Sequence, residues 1–388
     1  MSARISETSP AEVSVTRTAR RVAIIGAGMI AAVHRRSARM AGADVIGVLA
    51  SSHARSAEVA AAWKVREAFP DIGAVAASDA EVVHVCSPNV THAPFVEALL
   101  KAGKHVICEK PLGISLAEAE HMYTLATKSG LVATVPFVYR YHPIVREVRC
   151  RAAAGDFGQW NLLHGHYLQD WLLSAQASNW RVDGARGGPS RAFADIGSHW
   201  CDLVEWVSGE RFAELIAQTT VAVSQRPAAS TVSFAVGPNE GERVGVSTED
   251  IATVMLRTER GIPASVVVSQ VAAGRKNRLW FELDGSVASA TFDQEHSETF
   301  WRGDESGSRV IVRNPADGSA EQRRLSFLPA GHPQGYADCF DAFVADTYAA
   351  IDGQRPDGLP TFADGLRAAR IVDAMLRSAR NAQWTEIR

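Results

Sequence analysis

The stretch VAIIGAGMIAAV, residues 22–33, decides the fold. An apolar run typical of a buried strand leads directly into Gly26 and Gly28, and Ala31 completes a G-x-G-x-x-A pattern that opens a helix. Gly26 permits a tight turn, Gly28 lets the backbone approach a pyrophosphate, and Ala31 allows close helix–strand packing. Free N–H groups at the helix N-terminus attract anionic oxygens. The alternative is a glycine-rich turn that packs and binds nothing.

The pattern therefore predicts a dinucleotide-binding turn. The residues expected to contact the cofactor there are Gly26, Gly28, Met29 and Ile30.

The chain around this stretch alternates short apolar runs with amphipathic segments. The runs VAII, VIGVLA, VVHVC, HVIC and LVATV are rich in valine and isoleucine, as expected for strands buried on both faces. Strand–helix alternation predicts a doubly wound parallel sheet. We assign residues 20–142 to a dinucleotide-binding Rossmann domain.

The pattern changes after Pro143, where longer runs are joined by hairpin-like tips such as ERG and DGS. This favours a largely antiparallel sheet with helices on one face, and we assign residues 143–388 to a second α/β domain that binds substrate and forms oligomers. Residues 1–19 contain little apolar surface and are predicted to form a disordered tail.

Composition narrows the function classes. With 388 residues and a net charge of −3, the chain has neither the basic field of a nucleic-acid binder nor an apolar run long enough for a membrane helix. Its five scattered cysteines fit reduced thiols in the cytoplasm and offer no zinc site. Arg20 and Arg21 resemble a twin-arginine export signal, but cleavage there would remove the glycine pattern, so we favour a strand.

The end of the second predicted strand bears on the choice of cofactor. An acidic residue at this place would favour NAD, yet no carboxylate lies between Asp44 and Glu58. Ser51, Ser52 and Arg55 occupy the region, and Arg55 can pair with a 2′-phosphate or stack on adenine. The sequence predicts NAD(P) binding with a slight preference for NADP.

Two further stretches carry a resemblance to a known family. CSPNVTHAPFVEALLKAGKHVICEKPLG lies in the first half and RAFADIGSHWCDLVEW in the second. Together with G-x-G-x-x-A, the E-K-P and D-I-G-x-H motifs resemble the Gfo/Idh/MocA family of NAD(P)-dependent oxidoreductases, from about residue 21 to 382. The resemblance implies a Rossmann domain, a second domain with a large, open, mainly antiparallel sheet, an active site between them, and a homodimer or homotetramer.

The same resemblance implies roles for individual residues. Lys110 of E-K-P would contact the substrate oxygen beside the nicotinamide, and Pro111 would follow a cis peptide bond. His199 of D-I-G-S-H would transfer the proton, with Asp195 as its acidic partner. The loop expected to border the nicotinamide half of the cofactor consists of Ser87, Pro88, Asn89 and His92.

The chemistry of these residues agrees with that assignment. Oxidising a secondary alcohol requires a proton acceptor, and histidine suits neutral pH, while a lysine stabilises the developing alkoxide. Asp195 and His199 share one face if they are helical, and Asp202, one turn further, could orient the histidine or complete a disfavoured metal face.

The E-K-P motif itself lies at the end of a predicted strand. Glu109 and Lys110 point to opposite sides of an extended chain, so Lys110 is expected to face the cleft and Glu109 the cofactor or backbone. A cis bond before Pro111 would turn the lysine into the cleft.

Candidate substrate contacts cluster after residue 164. Trp171, Trp180 and Arg181 suit a sugar, because aromatic faces pack on pyranose C–H groups and arginine binds hydroxyls, although ordinary packing explains them equally well. By resemblance, Tyr139 and Arg140 also lie near the substrate. NWR…GGPSRAF and LPAGHPQGYADCFDAF resemble the levoglucosan-dehydrogenase-like branch, which implies that His332 and Tyr336 line the pocket.

Three functions compete. The favoured one is a dehydrogenase that converts a ring hydroxyl of a sugar, anhydrosugar or cyclitol to a ketone, or the reverse. The second is a glycosidase that keeps NAD bound and oxidises its substrate transiently. The third is a non-catalytic NAD(P) sensor, which has no need of Lys110, Asp195 and His199.

Overall fold

The computed structural model describes residues 19–228 and 242–388. The predicted disordered tail lies, apart from Ala19, outside the described residues. The run after Arg20–Arg21 is the first strand, as predicted.

The first half of the chain forms a parallel sheet of six strands in the order β3-β2-β1-β4-β5-β6, which confirms the doubly wound prediction. Its strands are β1 Arg21–Ile25, β2 Asp44–Leu49, β3 Glu67–Ala68, β4 Val82–Val85, β5 His105–Cys108 and β6 Ala133–Thr134. The helices between them are α1 Met29–Met40, α2 His53–Trp63, α3 Ile72–Ala77, α4 His92–Lys101 and α5 Leu116–Ser129. The central strands are buried on both faces, which explains their unbroken apolar sequences.

The second half is built on a sheet of nine strands in the order β16-β15-β14-β13-β7-β12-β11-β8-β17. Its pairs are antiparallel except β12 with β7, so the sheet is mixed but mainly antiparallel, as expected. Its strands are β7 Trp160–Leu168, β8 Phe212–Thr220, β11 Ile251–Thr258, β12 Pro263–Ser269, β13 Arg278–Gly285, β14 Ser289–Asp293, β15 Thr299–Asp304, β16 Gly307–Val312 and β17 Thr385–Glu386. A separate ribbon pairs β9 Gln225–Pro227 with β10 Arg243–Gly245.

One face of the large sheet is covered and the other is open. The helices of this half are α6 Pro143–Ala153, α7 Gly184–Gly187, α8 Ser198–Ser208, α9 Ala320–Leu325, α10 Tyr336–Ile351 and α11 Phe362–Asn381. Inward residues such as Val254 and Val266 are buried, whereas Met255 and Val267 on the other face are 52% and 41% exposed. That residues 143–388 form oligomers remains a prediction.

The last part of the chain returns to the first sheet. Phe340, Phe343 and Val344 of α10 share a buried core with Val22 and Ile24 of β1. On the other face, α11 contributes Phe362 and Leu366 to the core that contains Val83 and Val106. The segment after residue 142 thus completes the dinucleotide-binding half as well as forming the large sheet.

Among the described residues, no helix combines the length and apolar character that crossing a membrane requires. All five cysteines carry free thiols.

Candidate active site

The glycine turn between β1 and α1 forms a cradle at the carboxyl edge of the first sheet. Gly26 has φ +115°, and a Cβ there would lie 2.6 Å from the Cys86 carbonyl oxygen, so only glycine fits. At Gly28 a Cβ would meet nothing within 4 Å, which leaves open space above the helix. No side chain caps α1, whose first turn begins with exposed Met29 and half-buried Ile30. The backbone is therefore free to receive a pyrophosphate.

The loop after β5 brings Lys110 to this edge. The Lys110–Pro111 peptide bond is cis, as predicted. The Lys110 ammonium donates to Oδ1 of Asp195 at 2.6 Å and to the Asp195 carbonyl at 3.0 Å. An ammonium carries three donors, so one remains for another oxygen beside these two contacts.

Asp195 lies in a π-helical turn, Phe193–Gly197, that runs directly into α8. Its second oxygen, Oδ2, accepts a hydrogen bond from Gln270 Nε2 at 2.9 Å, and Arg181 Nε lies 3.7 Å from Oδ1. Burial tends to raise the pKa of Asp195, but Lys110 and Arg181 outweigh it and hold the pKa well below its usual range. The carboxylate is therefore ionised at neutral pH.

Gln270 is supported by a buried charged group that the sequence did not reveal. Its Oε1 accepts from Arg191 Nη1 at 3.3 Å, and Arg191 and Arg226 share the carboxylate of Asp250. Arg191, Arg226, Asp250 and Gln270 are 0% to 2% exposed. This group fixes the side of Asp195 that faces away from Lys110.

His199 lies against aromatic rings instead of against Asp195. Its ring centroid is 5.0 Å from Tyr139, 5.5 Å from Phe137 and 6.4 Å from Tyr167. His199 Nδ1 is buried without a hydrogen-bond partner among the described residues. Burial, followed by the charge of Lys110, lowers the pKa of His199 to about 3, although Asp195 acts in the opposite direction. The imidazole is therefore neutral at physiological pH.

Two expectations about this helix need correction. The expected acidic partner of His199, Asp195, is instead hydrogen-bonded to Lys110 and Gln270. Asp202 does not orient the histidine either, because both of its oxygens accept hydrogen bonds from Arg140.

Arg140 was expected near the substrate, but the structure gives its guanidinium internal partners. It is 5% exposed, donates from Nε to Asp202 Oδ2 at 2.8 Å, and donates from Nη2 to Asp364 Oδ1 at 2.8 Å. These carboxylates raise the pKa of Arg140 despite its burial. We therefore correct its role from substrate contact to internal ion pair.

The loop after β4 is tied to its neighbours through buried contacts. His92 Nδ1 lies 2.9 Å from the Pro111 carbonyl and Nε2 lies 3.0 Å from the Ser87 carbonyl, so this ring links the two loops. Asn89 donates to the Gly187 carbonyl at 2.9 Å. Pro88 precedes the short 3-10 turn, Asn89–Thr91, that leads into α4. His92 and Asn89 hold the loop in place, and contact between this loop and the cofactor stays a prediction.

The predicted adenosine-side residues lie at the start of α2. Ser52 is the N-cap, and its side chain accepts from the Arg55 amide. Ser51 is exposed, and the Arg55 guanidinium pairs with Glu58 at 2.7 Å in a largely exposed position. Because an exposed ion pair of this kind is weak, Arg55 can turn towards a ligand.

Several predicted substrate residues do gather near Lys110 and His199. Arg181 lies over the ring of Trp180, 4.5 Å from its centroid, and beside Asp195. Tyr336 lies 6.1 Å from Tyr139, which in turn contacts His199. These four side chains form one continuous group with the candidate catalytic residues.

Two other predicted substrate residues, Trp171 and His332, have contacts of a different kind from those of this group. Trp171 donates to Gln169 Oε1 at 3.0 Å and packs with a small apolar cluster around Leu172. The His332 side chain is exposed, and its carbonyl accepts from Arg313 at 2.8 Å.

Tyr139 belongs to a set of three hydrogen-bonded side chains that the sequence analysis did not predict. Tyr167 donates to Asn277 Oδ1 at 2.7 Å, Asn277 Nδ2 donates to Tyr139 at 3.1 Å, and the two hydroxyls lie 2.6 Å apart. Tyr167 stands on β7 and Asn277 immediately precedes β13, so only the folded register of these two strands brings them together.

The fold and the site define a Rossmann-fold oxidoreductase. Residues 20–137 match the model of the oxidoreductase family with an NAD-binding Rossmann fold, and residues 145–291 match the GFO/IDH/MocA C-terminal domain. The chain belongs to the Gfo/Idh/MocA family.

Its relatives include sugar dehydrogenases. A levoglucosan dehydrogenase from Pseudarthrobacter phenanthrenivorans is 31% identical over 319 residues, which is 80% of each protein. A solved levoglucosan dehydrogenase in complex with NADH and L-sorbose has a TM-score of 0.87 at 27% identity, covering 95% of this chain and 99% of the other. An oxidoreductase domain protein from Kribbella flavida has a TM-score of 0.85 at 30% identity, covering 96% and 100%.

Proposed function

We propose that this protein oxidises a ring hydroxyl of a sugar, anhydrosugar or cyclitol to a ketone, or catalyses the reverse reduction, with a nicotinamide dinucleotide. The observation that carries this proposal is the contact between Lys110 and Asp195 at the carboxyl edge of the first sheet, with neutral, buried His199 four residues after Asp195. A bound nicotinamide supplies the hydride acceptor or donor at this place. The levoglucosan dehydrogenase relative supports the substrate class.

Lys110 polarises the substrate oxygen in this proposal. Asp195 accepts two of its hydrogen bonds and leaves one N–H for the reacting hydroxyl. A fixed ammonium stabilises the alkoxide that develops as hydride leaves the adjacent carbon. Asp195 is the residue that orients the ammonium, and Gln270 in turn orients Asp195.

His199 accepts the hydroxyl proton. Its neutral ring is the form that can take a proton, and its buried Nδ1 has no competing partner among the described residues. Burial and the charge of Lys110 disfavour the imidazolium, so in this proposal the proton taken by His199 passes on to bulk water before the next turnover.

The proposed cofactor class rests on the glycine turn between β1 and α1 and on the residues that follow β2. Gly26 and Gly28 suit a pyrophosphate. We propose NADP in preference to NAD because the end of β2 lacks the carboxylate that would select NAD, and Arg55 stands in the first turn of the following helix, α2. Ser51 and Ser52 remain candidates for phosphate or ribose contacts. Glu109 remains a candidate cofactor neighbour through its position beside Lys110.

The substrate is held by the group beside Asp195 and His199. Trp180 and Tyr139 offer aromatic faces, and Arg181 offers donors for ring hydroxyls. Tyr336 extends the same wall. We also propose a cytoplasmic homodimer or homotetramer, supported by the free thiols and by the exposed apolar residues on the open sheet face.

The test is a panel of pyranosides, anhydrosugars and inositols, each offered with NAD⁺ and with NADP⁺, with absorbance of the reduced nicotinamide as the readout. We expect reduction with at least one anhydrosugar or pyranoside. Release of free sugar from glycosides without net cofactor reduction would favour the glycosidase alternative. Tight cofactor binding with no turnover on the whole panel would favour a sensor.

A further inference from the structure

Arg226 binds the backbone of a loop beside the candidate active site. It lies in the short strand β9 and is 0% exposed. Its guanidinium donates to three backbone carbonyls, those of Leu172 at 2.8 Å, Ser174 at 2.9 Å and Ala177 at 3.0 Å. We call residues 172–181 the substrate loop, because they end at Trp180 and Arg181. One buried side chain thus holds much of this loop from inside.

The same guanidinium reaches the buried charged group behind Asp195. Arg226 Nη2 lies 3.1 Å from Oδ1 of Asp250, and Arg191 donates to that same oxygen. Arg191 in turn donates to Gln270, which donates to Asp195. A single carboxylate therefore joins the arginine that holds the substrate loop to the arginine that supports Asp195.

Every contact in this line has a fixed direction. Arginine offers donors only, so both guanidinium groups donate. Burial tends to raise the pKa of Asp250, but Arg191 and Arg226 outweigh it and lower the pKa, so the carboxylate is ionised and accepts. Gln270 stands between a cation and a carboxylate, which directs its Oε1 to Arg191 and its Nε2 to Asp195. No other orientation of the amide satisfies both contacts.

The substrate loop is tied to the same group a second time through its backbone. The Leu172 N–H donates to the Gln270 carbonyl at 3.2 Å, and the Gln270 N–H donates to the Asp250 carbonyl at 3.0 Å. Removing one partner from a buried ion pair leaves an uncompensated charge, which is costly. The loop and the support of Asp195 therefore share one set of buried contacts.

The other contacts of the substrate loop are of a different kind. Arg243, in the exposed strand β10, donates to a carbonyl of this loop at 3.4 Å and has no contact with Asp250 among the described residues. Leu172 packs with Val182 and Val246 in a small apolar cluster. These contacts hold the loop against the ribbon but do not connect it to Asp195.

We propose that Arg226 is a positioning residue that holds the substrate loop in register with Asp195. It acts through the loop backbone on one side and through Asp250 on the other. The side chains at the end of the loop and the carboxylate that orients Lys110 thereby keep one fixed spacing.

Hydrogen exchange tests this proposal without any assumption about function. In the full-length protein, Arg226→Met removes the guanidinium and all of its contacts. We expect amide exchange to become about tenfold faster both in residues 178–182 and in the π-helical turn Phe193–Gly197, because the two segments lose a shared support. The Val182 and Asp195 amides, hydrogen-bonded at 2.9 and 2.8 Å, are suitable reporters. A rise in the first segment alone, or in neither, would overturn the proposal.

Arg313→Met is the matched control for a general loss of stability. Arg313 is also 0% exposed, donates to three backbone carbonyls of residues 328–332 and pairs with Glu298. We expect this variant to leave exchange in Phe193–Gly197 at the wild-type rate. Equally fast exchange there in both variants would mean that destabilisation alone explains the result, and would contradict the proposal.

A kinetic test rests on the proposed dehydrogenase function, which places Trp180 and Arg181 against the sugar. Arg226→Met should raise KM for the sugar by about three- to thirty-fold and leave KM for the cofactor unchanged, because the glycine cradle lies elsewhere. Arg243→Met, which removes the exposed loop contact, should keep the wild-type KM for the sugar. Equal rises in the two KM values would reject a positioning role. If no sugar is turned over, the proposed function fails, and the exchange result still decides on Arg226.

Arg226→Lys gives a second route if Arg226→Met does not fold. An ammonium keeps a cation beside Asp250, but its three donors cannot serve all four oxygen atoms that Arg226 binds. We expect exchange in residues 178–182 to become about threefold faster, together with a rise in KM for the sugar but not for the cofactor. Wild-type exchange and kinetics in this variant would show that the guanidinium contacts are dispensable, and would overturn the proposal.

Discussion

The Lys110 ammonium lies 2.6 Å from Oδ1 of Asp195, although the two residues are 85 positions apart and belong to different halves of the fold. Lys110 follows the parallel strand β5, and Asp195 precedes a helix packed on the large sheet. The contact therefore fixes the carboxyl edge of the first sheet against the second half of the chain at the place where chemistry is proposed.

Replacing Lys110 by methionine keeps the length of the side chain and removes its charge. We expect kcat to fall by about 10²- to 10⁴-fold, because the alkoxide loses its stabilising donor, while the cofactor dissociation constant changes little. Steady-state kinetics and a cofactor titration by fluorescence measure the two quantities. Lys104→Met, at the other end of β5, is the control, and equal losses in both variants would exclude a special role for Lys110.

His199→Ala should be comparably severe in kcat, about 10²- to 10⁴-fold, with little change in cofactor affinity. The reason is the loss of the neutral ring that accepts the proton. Since the pKa of His199 is about 3, the wild-type profile should show no inflection from this residue near pH 6.5. Near-wild-type turnover of His199→Ala would remove it from the mechanism.

Gln270→Ala tests the support of Asp195. The variant leaves Asp195 Oδ2 without its amide donor and Arg191 Nη1 without its amide acceptor, so Lys110 is held less firmly. We expect kcat/KM to fall by about three- to thirty-fold with KM for the cofactor unchanged. Gln218→Ala, on an exposed part of β8, is the matched control. If the thermal stability of Gln270→Ala falls but kcat/KM does not, Gln270 has a purely structural role.

Arg55 and Glu58 should move cofactor preference in opposite directions. Arg55→Ala is expected to lower kcat/KM for NADP(H) by about tenfold, the scale of one charge-assisted hydrogen bond, with little effect on NAD(H). Glu58→Ala frees the guanidinium from its ion pair and should raise the preference for NADP(H). If the wild type prefers NAD(H) by about tenfold or more, Arg55 is not a phosphate ligand.

His142 should make stability depend on pH. Burial lowers its pKa to about 4, although Gln294 and Asp338 act in the opposite direction. Between about pH 6.5 and pH 4 the unfolded chain binds more protons at this residue than the native protein does, so native stability falls as pH falls.

The variant His142→Asn cannot titrate there. Its Tm deficit relative to the wild type should therefore shrink as the pH is lowered from about 7.5 to about 5, measured by thermal unfolding. His53→Asn, at an exposed position, should show no such trend. A constant deficit for His142→Asn would mean that His142 is not held neutral.

The local parts of the fold could be predicted because their causes are local. Gly26 must be glycine on account of its own φ and the carbonyl beside it, whereas the cis bond before Pro111 was expected from the family resemblance. The unbroken apolar strands revealed a sheet buried on both faces.

Contacts between residues that are far apart in the sequence were harder to predict. Sequence spacing predicted that Asp195 and Asp202 lie near His199. In the structure, Asp195 forms an ion pair with Lys110 and Asp202 forms one with Arg140. Helical spacing predicts which residues share one face of a helix. Which charged residues form ion pairs also depends on the side chains of the elements that pack against that face. The same reason hid Gln270, which comes from the end of a strand 75 positions after Asp195.

The position of α10 bears on how the protein is made. Phe340 and Phe343 cover β1, the first strand of the sheet, but they come from a helix that lies far later in the sequence. A growing polypeptide therefore carries Val22 with part of its final covering still unsynthesised until α10 has left the ribosome. The amino-terminal half expressed by itself should consequently be prone to aggregation, and adding residues 336–351 should suppress this.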